Sequence, residues 1–283
     1  MRSWQGSISL ETRKKRGSTR LSSLKHKGPL RIQRPFLQDD GSCHIYLIHP
    51  PGGVVGGDDL FVKFEGHENT NTLITSSAAS KFYSCEAGLP KQKISQDLKV
   101  KRGSLLEWVP HENIFFEGSK TELQNKIVMS NESRFFGWEI MVLGRLESDK
   151  NSFGGTLRST TTITIDSQLI HRDFFEYSPK MDRSAGGLNG NRVIGSLIAT
   201  SAYIEDEGFG RLFADIKKNV TRIAHNMCVF RNKENTNWLG IGGRYMRDSW
   251  TRNTLNRVGE EEWKKYGLKH YKGLYLLSTI NDK

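Results

Sequence analysis

The sequence predicts a mainly β fold: a curved, layered, β-sandwich-like domain with about two helices in its C-terminal third. Three observations point there. Short apolar runs separated by turn residues recur through the first two thirds of the chain. Several of these runs alternate apolar and polar residues with period two. Apolar spacings of three and four, the mark of an amphipathic helix, begin only at Phe209.

The elements follow in order. "HIYLI" (44–48) and "LFVKF" (60–64) are strands on either side of a Gly-rich stretch, and "NTLITS" leads to another in "KFYSC". Ile94, Gln96, Leu98 and Val100 line up on one face, with a glutamine among the apolar residues, and Leu123, Asn125, Ile127 and Met129 repeat the pattern. "FFGWEIMVLGRL" (135–146) is apolar on both faces, as a central strand is. "TLRSTTTITI" (156–165) is rich in β-branched residues that fit a pleated surface. "MDRSAGGLNGNR" (181–192) reads as a loop. Phe209, Leu212, Phe213, Ile216 and Val220 predict one helix; Asp248 or Ser249 caps a second through Trp250, Thr254, Val258 and Trp263. Beyond Val220 the pattern fits helix or strand, and "WLGIGGRYM" (238–246) reads as a strand. With no clean boundary and no fixed-period repeat, residues 1–283 read as a single domain.

The formal net charge is +11, and eight Lys or Arg fall between Arg13 and Arg31. This is either a solvated basic edge or a surface for an acidic partner. Zinc-finger spacing and RNA-recognition signatures are absent, so no nucleic acid is expected. No run approaches the about 18–20 apolar residues of a membrane span, so no membrane is expected either. MRSWQGSISLET lacks the apolar core of a secretory signal, and Cys43, Cys85 and Cys228 are odd in number and far apart. Both features point to reduced thiols and a cytoplasmic location.

Motifs for enzyme chemistry are missing. The Gly-rich stretch lacks the G-K-[ST] ending of a P-loop and the G-x-G-x-x-G of a dinucleotide fold. No G-x-S-x-G elbow occurs. His67-Glu68 and His111-Glu112 each begin like H-E-x-x-H, but Asn71 and Phe115 stand where the second histidine belongs. Asp58-Asp59 does not open an EF-hand loop.

"HPPGGVVGGDDL" (49–60) is therefore read through its conformational physics. Pro50 and Pro51 fix φ and withhold two amide donors. Gly52, Gly53, Gly56 and Gly57 permit positive φ or close backbone approach. Asp58 either latches its own loop through amide hydrogen bonds or serves chemistry.

"GPLRIQRPF" (28–36), "CHIYLIHPPGGVVGGDDL" (43–60), "SKFYSC" (80–85), "GSLLEWVPHENIFFEG" (103–118) and "FFGWEIMVLGR" (135–145) stand in an order and spacing that resembles the urease accessory protein D family, UreD, also called UreH. The resemblance runs from residue 28 to about 175 and more weakly through "GGRYM" (242–246). It departs at His111 and Ser84, where the family often carries Gln and Arg, and in the tail after Lys265. It implies a non-catalytic maturation factor that joins accessory proteins F and G to apo-urease. It also implies a wet internal passage for nickel, with no tightly bound cofactor.

On that resemblance, Asp58, Glu107, Glu112 and Glu139 match acidic positions of the family blocks and are the candidates for a transient nickel path. A conduit should bind weakly enough to release its ion, which favours scattered carboxylates and water over a His/Cys cage. The alternatives remain open. Glu107 and Glu139 either line a path, face solvent or pair with Arg145. His111 is either an added ligand or a satisfied turn histidine. Cys43 and His44 point to opposite strand faces and read as packing, and His49 is a weaker candidate than the acids. Lys81, Phe82 and Tyr83 read as core plus one exposed cation. Arg172–Glu176 is either a docking edge or a partly buried strand. The competing function class is a metal-dependent enzyme built on clustered carboxylates and His111.

Overall fold

The structure, a computed structural model, describes residues 3–144, 153–182, 188, 192–200, 227–231 and 238–243. Strands β1 (Gln5–Lys15) and β2 (Ser18–Lys27) form a hairpin turned by Arg16 and Gly17, both at positive φ. Short β3 (Arg31–Ile32) and β4 (Phe36–Leu37) lead to β5 (Cys43–Ile48), β6 (Asp59–Gly66), β7 (Asn71–Ser76) and β8 (Ser80–Phe82). Then come β9 (Gln92–Val100), β10 (Leu105–Trp108), β11 (Asn113–Phe115), β12 (Lys120–Met129) and β13 (Arg134–Leu143). The series continues with β14 (Thr156–Ile165), β15 (Gln168–Glu176), β16 (Val193–Thr200), β17 (Met227–Arg231) and β18 (Trp238–Gly243).

Two sheets result. One has seven strands in the order β15-β14-β12-β9-β6-β1-β2. The other has eleven, with β17-β18-β16-β13-β10-β7-β5-β3 as its main path. From β5 to β14 the chain crosses back and forth between them, apart from β8 and β11, which stay with the larger sheet. Successive strands of each sheet pair in parallel: β6, β9, β12 and β14 in one, β5, β7, β10 and β13 in the other. A parallel pair needs a crossover, and here a strand of the opposite sheet takes the place usually filled by a helix.

The main core lies between the sheets. Ile8, Leu10, Phe64, Leu98, Ile127 and Ile163 come from the smaller sheet, and Ile45, Ile74, Leu106 and Leu143 from the larger. On β13, Phe135, Met141 and Leu143 join this core, while Trp138, Ile140 and Val142 belong to a second cluster with Leu73 and Val109. By the period-two rule those are opposite faces of the larger sheet, so β13 is buried on both sides.

The mainly β layered architecture agrees with the sequence reading. The expected helices at 209–220 and 249–263 lie outside the described residues. Among the described residues the only helical element is one 3₁₀ turn, Pro179–Met181, and none is a helix long and apolar enough to cross a membrane.

Candidate functional site

The Pro- and Gly-rich corner between β5 and β6 is built around Asp58. Its Oδ1 accepts from the Trp4 amide at 2.7 Å and its Oδ2 from the Val55 amide at 2.9 Å. The residue is 1% exposed. Gly52 and Gly57 take φ of 78° and 85°, the left-handed region that glycine alone enters without strain. Gly53 lies against the ring of Tyr83, and a Cβ there would also stand 3.0 Å from the Lys81 carbonyl oxygen. Val54 can therefore bridge to Phe82, with Val54 N–H donating to Lys81 O at 2.7 Å and Tyr83 N–H to Val54 O at 2.9 Å. Buried Gln92, the first residue of β9, ties this bridge to the other sheet. Its Nε2 donates to Val54 O and Tyr83 O, and Thr121 Oγ1 donates to its Oε1. His49 sits nearby with a buried Nε2 that has no hydrogen-bond partner. Burial pushes its pKa down, opposed by the charge of Asp58.

A second polar region lies in the middle of the core. Strand register places Gln96 of β9, Asn125 of β12 and Thr161 of β14 side by side across the smaller sheet. The row on one side holds Leu98, Ile127 and Ile163; on the other it holds Ile94, Leu123 and Ser159. Opposite the polar row stands Glu139, on the inward face of β13 that it shares with Phe135, Met141 and Leu143. Asn125 Nδ2 donates to Glu139 Oε1 at 3.3 Å and to Thr161 Oγ1 at 3.2 Å. Ser159 Oγ donates to Glu139 Oε2 at 3.1 Å. Gln96, Asn125, Thr161 and Glu139, with Ser196 of β16, line a cavity of about 40 Å³ between the sheets. That is room for about two or three waters. Burial raises the Glu139 pKa; hydrogen bonds from Asn125 and Ser159 offset part of that, and the charge of Asp173 adds to it.

The four acids singled out in the sequence do not converge. Asp58 is in the corner. Glu107 is 5% exposed on β10, where Leu106 and Trp108 face the core and Glu107 therefore points to the opposite face of the larger sheet, alongside Leu73. Glu112 follows His111 in the β10–β11 connection, and its Oε2 is buried with no hydrogen-bond partner. Its neighbour Asn113 lines the cavity, as Glu139 does. Arg145, the partner considered for Glu139, lies outside the described residues. Among the described residues no three His, Cys, Asp or Glu side chains come together as a metal-holding group, so the clustered-carboxylate arrangement of the competing reading is not present there.

The other residues fall simply. His111 is buried, its amide donating to Ser76 Oγ at 2.9 Å and its Nδ1 lying 3.3 Å from the same oxygen. Cys43 is in the core, where burial raises its thiol pKa, and both Cys43 and Cys85 are free thiols. Lys81 is exposed beside buried Phe82, while Tyr83 is 40% exposed. In β15 only Phe175 is buried, and Arg172, Asp173, Phe174 and Glu176 are exposed. Sequence reasoning missed Asn125, Thr161 and Ser159 as site residues. The signal was there in polar residues at inward positions of three neighbouring strands.

Residues 5–237 match the family described as UreD urease accessory protein. The chain belongs to the UreD urease accessory protein family. A UreD urease accessory protein of Saccharophagus degradans is 36% identical over 208 residues, covering 72% of this chain and 70% of that protein. One from Escherichia coli is 40% identical over 179 residues, 62% of this chain and 64% of its own length. One from Vibrio parahaemolyticus is 41% identical over 170 residues, 60% of each. The UreD match spans both the corner and the cavity.

Proposed function

We propose that this chain is a non-catalytic urease maturation factor that links accessory proteins F and G to apo-urease and passes nickel through the solvated space between its sheets. Membership of the UreD family supports the maturation role. The observation that carries the conduit is the cavity facing Glu139. A carboxylate in an apolar core is costly unless it is paired, hydrogen-bonded or hydrated. Here it meets an amide, hydroxyls and space for water. Divalent nickel binds such oxygen donors more weakly than imidazole or thiolate, so the ion is accepted and released rather than stored. We assign Glu139 to the path, and Glu112 to its continuation, because a buried oxygen without a partner can be satisfied by a passing hydrated ion. Asp58, whose two oxygens are taken by backbone amides, we assign to structure. Glu107, on the other face of the sheet, is not part of this route.

The test is co-expression of the tagged chain with accessory proteins F and G and the urease subunits. Glu139→Ala combined with Asn125→Ala should retain the partners in a pull-down while urease nickel content falls several-fold. Normal nickel loading with the complex intact overturns the conduit. Failure of the folded wild-type chain to retain accessory protein F overturns the scaffold reading as well.

A further inference from the structure

The polar row does not end inside the molecule. Register carries it one strand further: Thr161 of β14 pairs with Asp173 of β15. β15 is the terminal strand of the smaller sheet, and Asp173 is exposed. The sequence Gln96, Asn125, Thr161, Asp173 thus runs across four adjacent strands from the cavity to the sheet edge. Toward the opposite edge the same row turns apolar, to Val62 and Ile8. Its flanks near β15 are closed by buried Ile163 on one side and buried Phe175, paired with Ser159, on the other. On the outward face of β15, Arg158 bonds Glu176 at 2.8 Å and lies 5.8 Å from the centre of the Phe174 ring. Asp173 shares a face of β15 with buried Phe175, two residues on, which puts it on the inward side of the strand.

We infer that the β15 edge is a solvent port of the cavity, with Asp173 as its outer carboxylate, and that small hydrated cations enter or leave between the sheets at this point. A carboxylate at the mouth of a narrow, low-dielectric slot concentrates cations and repels anions. A polar row bordered by Ile163 and Phe175, with Ser159 and His171 beside it, gives the ion a directed path to Glu139. Only the identity of the cation as nickel rests on the function proposed above.

The port is tested without nickel or urease. In the full chain, Thr161→Cys places a thiol one strand inside Asp173. Its modification by a small cationic methanethiosulfonate and by the anionic sulfonate analogue is followed by peptide mass spectrometry, which separates it from the native cysteines. The cationic reagent should react faster. Asp173→Lys should shift the cation-to-anion rate ratio by roughly tenfold toward the anion, and Asp173→Asn by less. Asn125→Cys, one strand deeper, should show the same preference at a lower rate. Because Asp173 is exposed, Asp173→Asn keeps the test usable if the lysine variant folds poorly. A Thr161→Cys thiol that stays unmodified in the folded protein overturns the port, as does a rate ratio indifferent to Asp173. If the ratio follows Asp173 but Asp173→Lys leaves urease nickel loading normal in the co-expressed complex, the port stands and the nickel reading of the route fails.

Discussion

Two carboxylates, the buried Asp58 and the half-buried Glu139, show how one functional group serves two ends. Asp58 accepts two backbone amides at 2.7 and 2.9 Å, one from its own loop and one from the segment leading into β1. Its donors are fixed by the chain path, so the carboxylate holds that path in place. Glu139 accepts from two side chains at 3.3 and 3.1 Å, on strands of the opposite sheet, and borders a cavity. Side-chain donors can rotate and water can enter, so this carboxylate can exchange partners. The difference lies in what satisfies the acid, backbone or side chain.

The comparison breaks first at Asp58. Asp58→Ala leaves the Trp4 and Val55 amides without their acceptor, and the variant should lose about 3 kcal/mol in urea unfolding. Asp58→Asn keeps one acceptor oxygen and should lose about half of that. A loss under about 1 kcal/mol for the alanine variant would mean that the corner holds without its latch. Next comes Gly53→Ala, whose new methyl presses on the Tyr83 ring and the Lys81 carbonyl and should cost about 1–3 kcal/mol. Gly52→Ala meets nothing within 4 Å and faces only the left-handed backbone, for about 1 kcal/mol. Equal melting temperatures for the two alanine variants would contradict close packing of Gly53 against β8.

The corner was largely legible in the sequence because its determinants are local. Two prolines, two Gly pairs and an acid in twelve residues specify a bend and an internal acceptor. Individual strands were legible for the same reason: the β-branched run 156–165 coincides with β14. The parallel winding between sheets was not, because pairing direction is decided by partners about 30 residues away in sequence. The cavity was half legible. Glu139 was found through its family block, and Gln96 was visible as a polar residue on an inward face. Each polar residue alone reads as an exception in a strand. Only the register of β9, β12, β14 and β15 turns four exceptions into one row.

The smallest expected effect on stability sharpens the other side of the comparison. The Glu139 pKa is raised above the ordinary 4.5, first by burial. A raised carboxyl pKa means that the folded state holds the proton more tightly than the unfolded chain does. Stability therefore falls as pH rises from the ordinary glutamate value through the folded-state value, and is level above it. Glu139→Gln keeps an oxygen acceptor of the same reach and removes the ionisation. The variant and the natural protein should differ little at the acid end. The variant should then gain steadily in urea midpoint across the window above pH 4.5. Asp58→Asn, by contrast, should be weaker than the natural protein, because one of the two backbone amides loses its carboxylate acceptor. A Glu139→Gln difference that stays flat with pH would place this carboxylate in bulk-like water, and the contrast between latch and cavity would reduce to hydrogen-bond geometry alone.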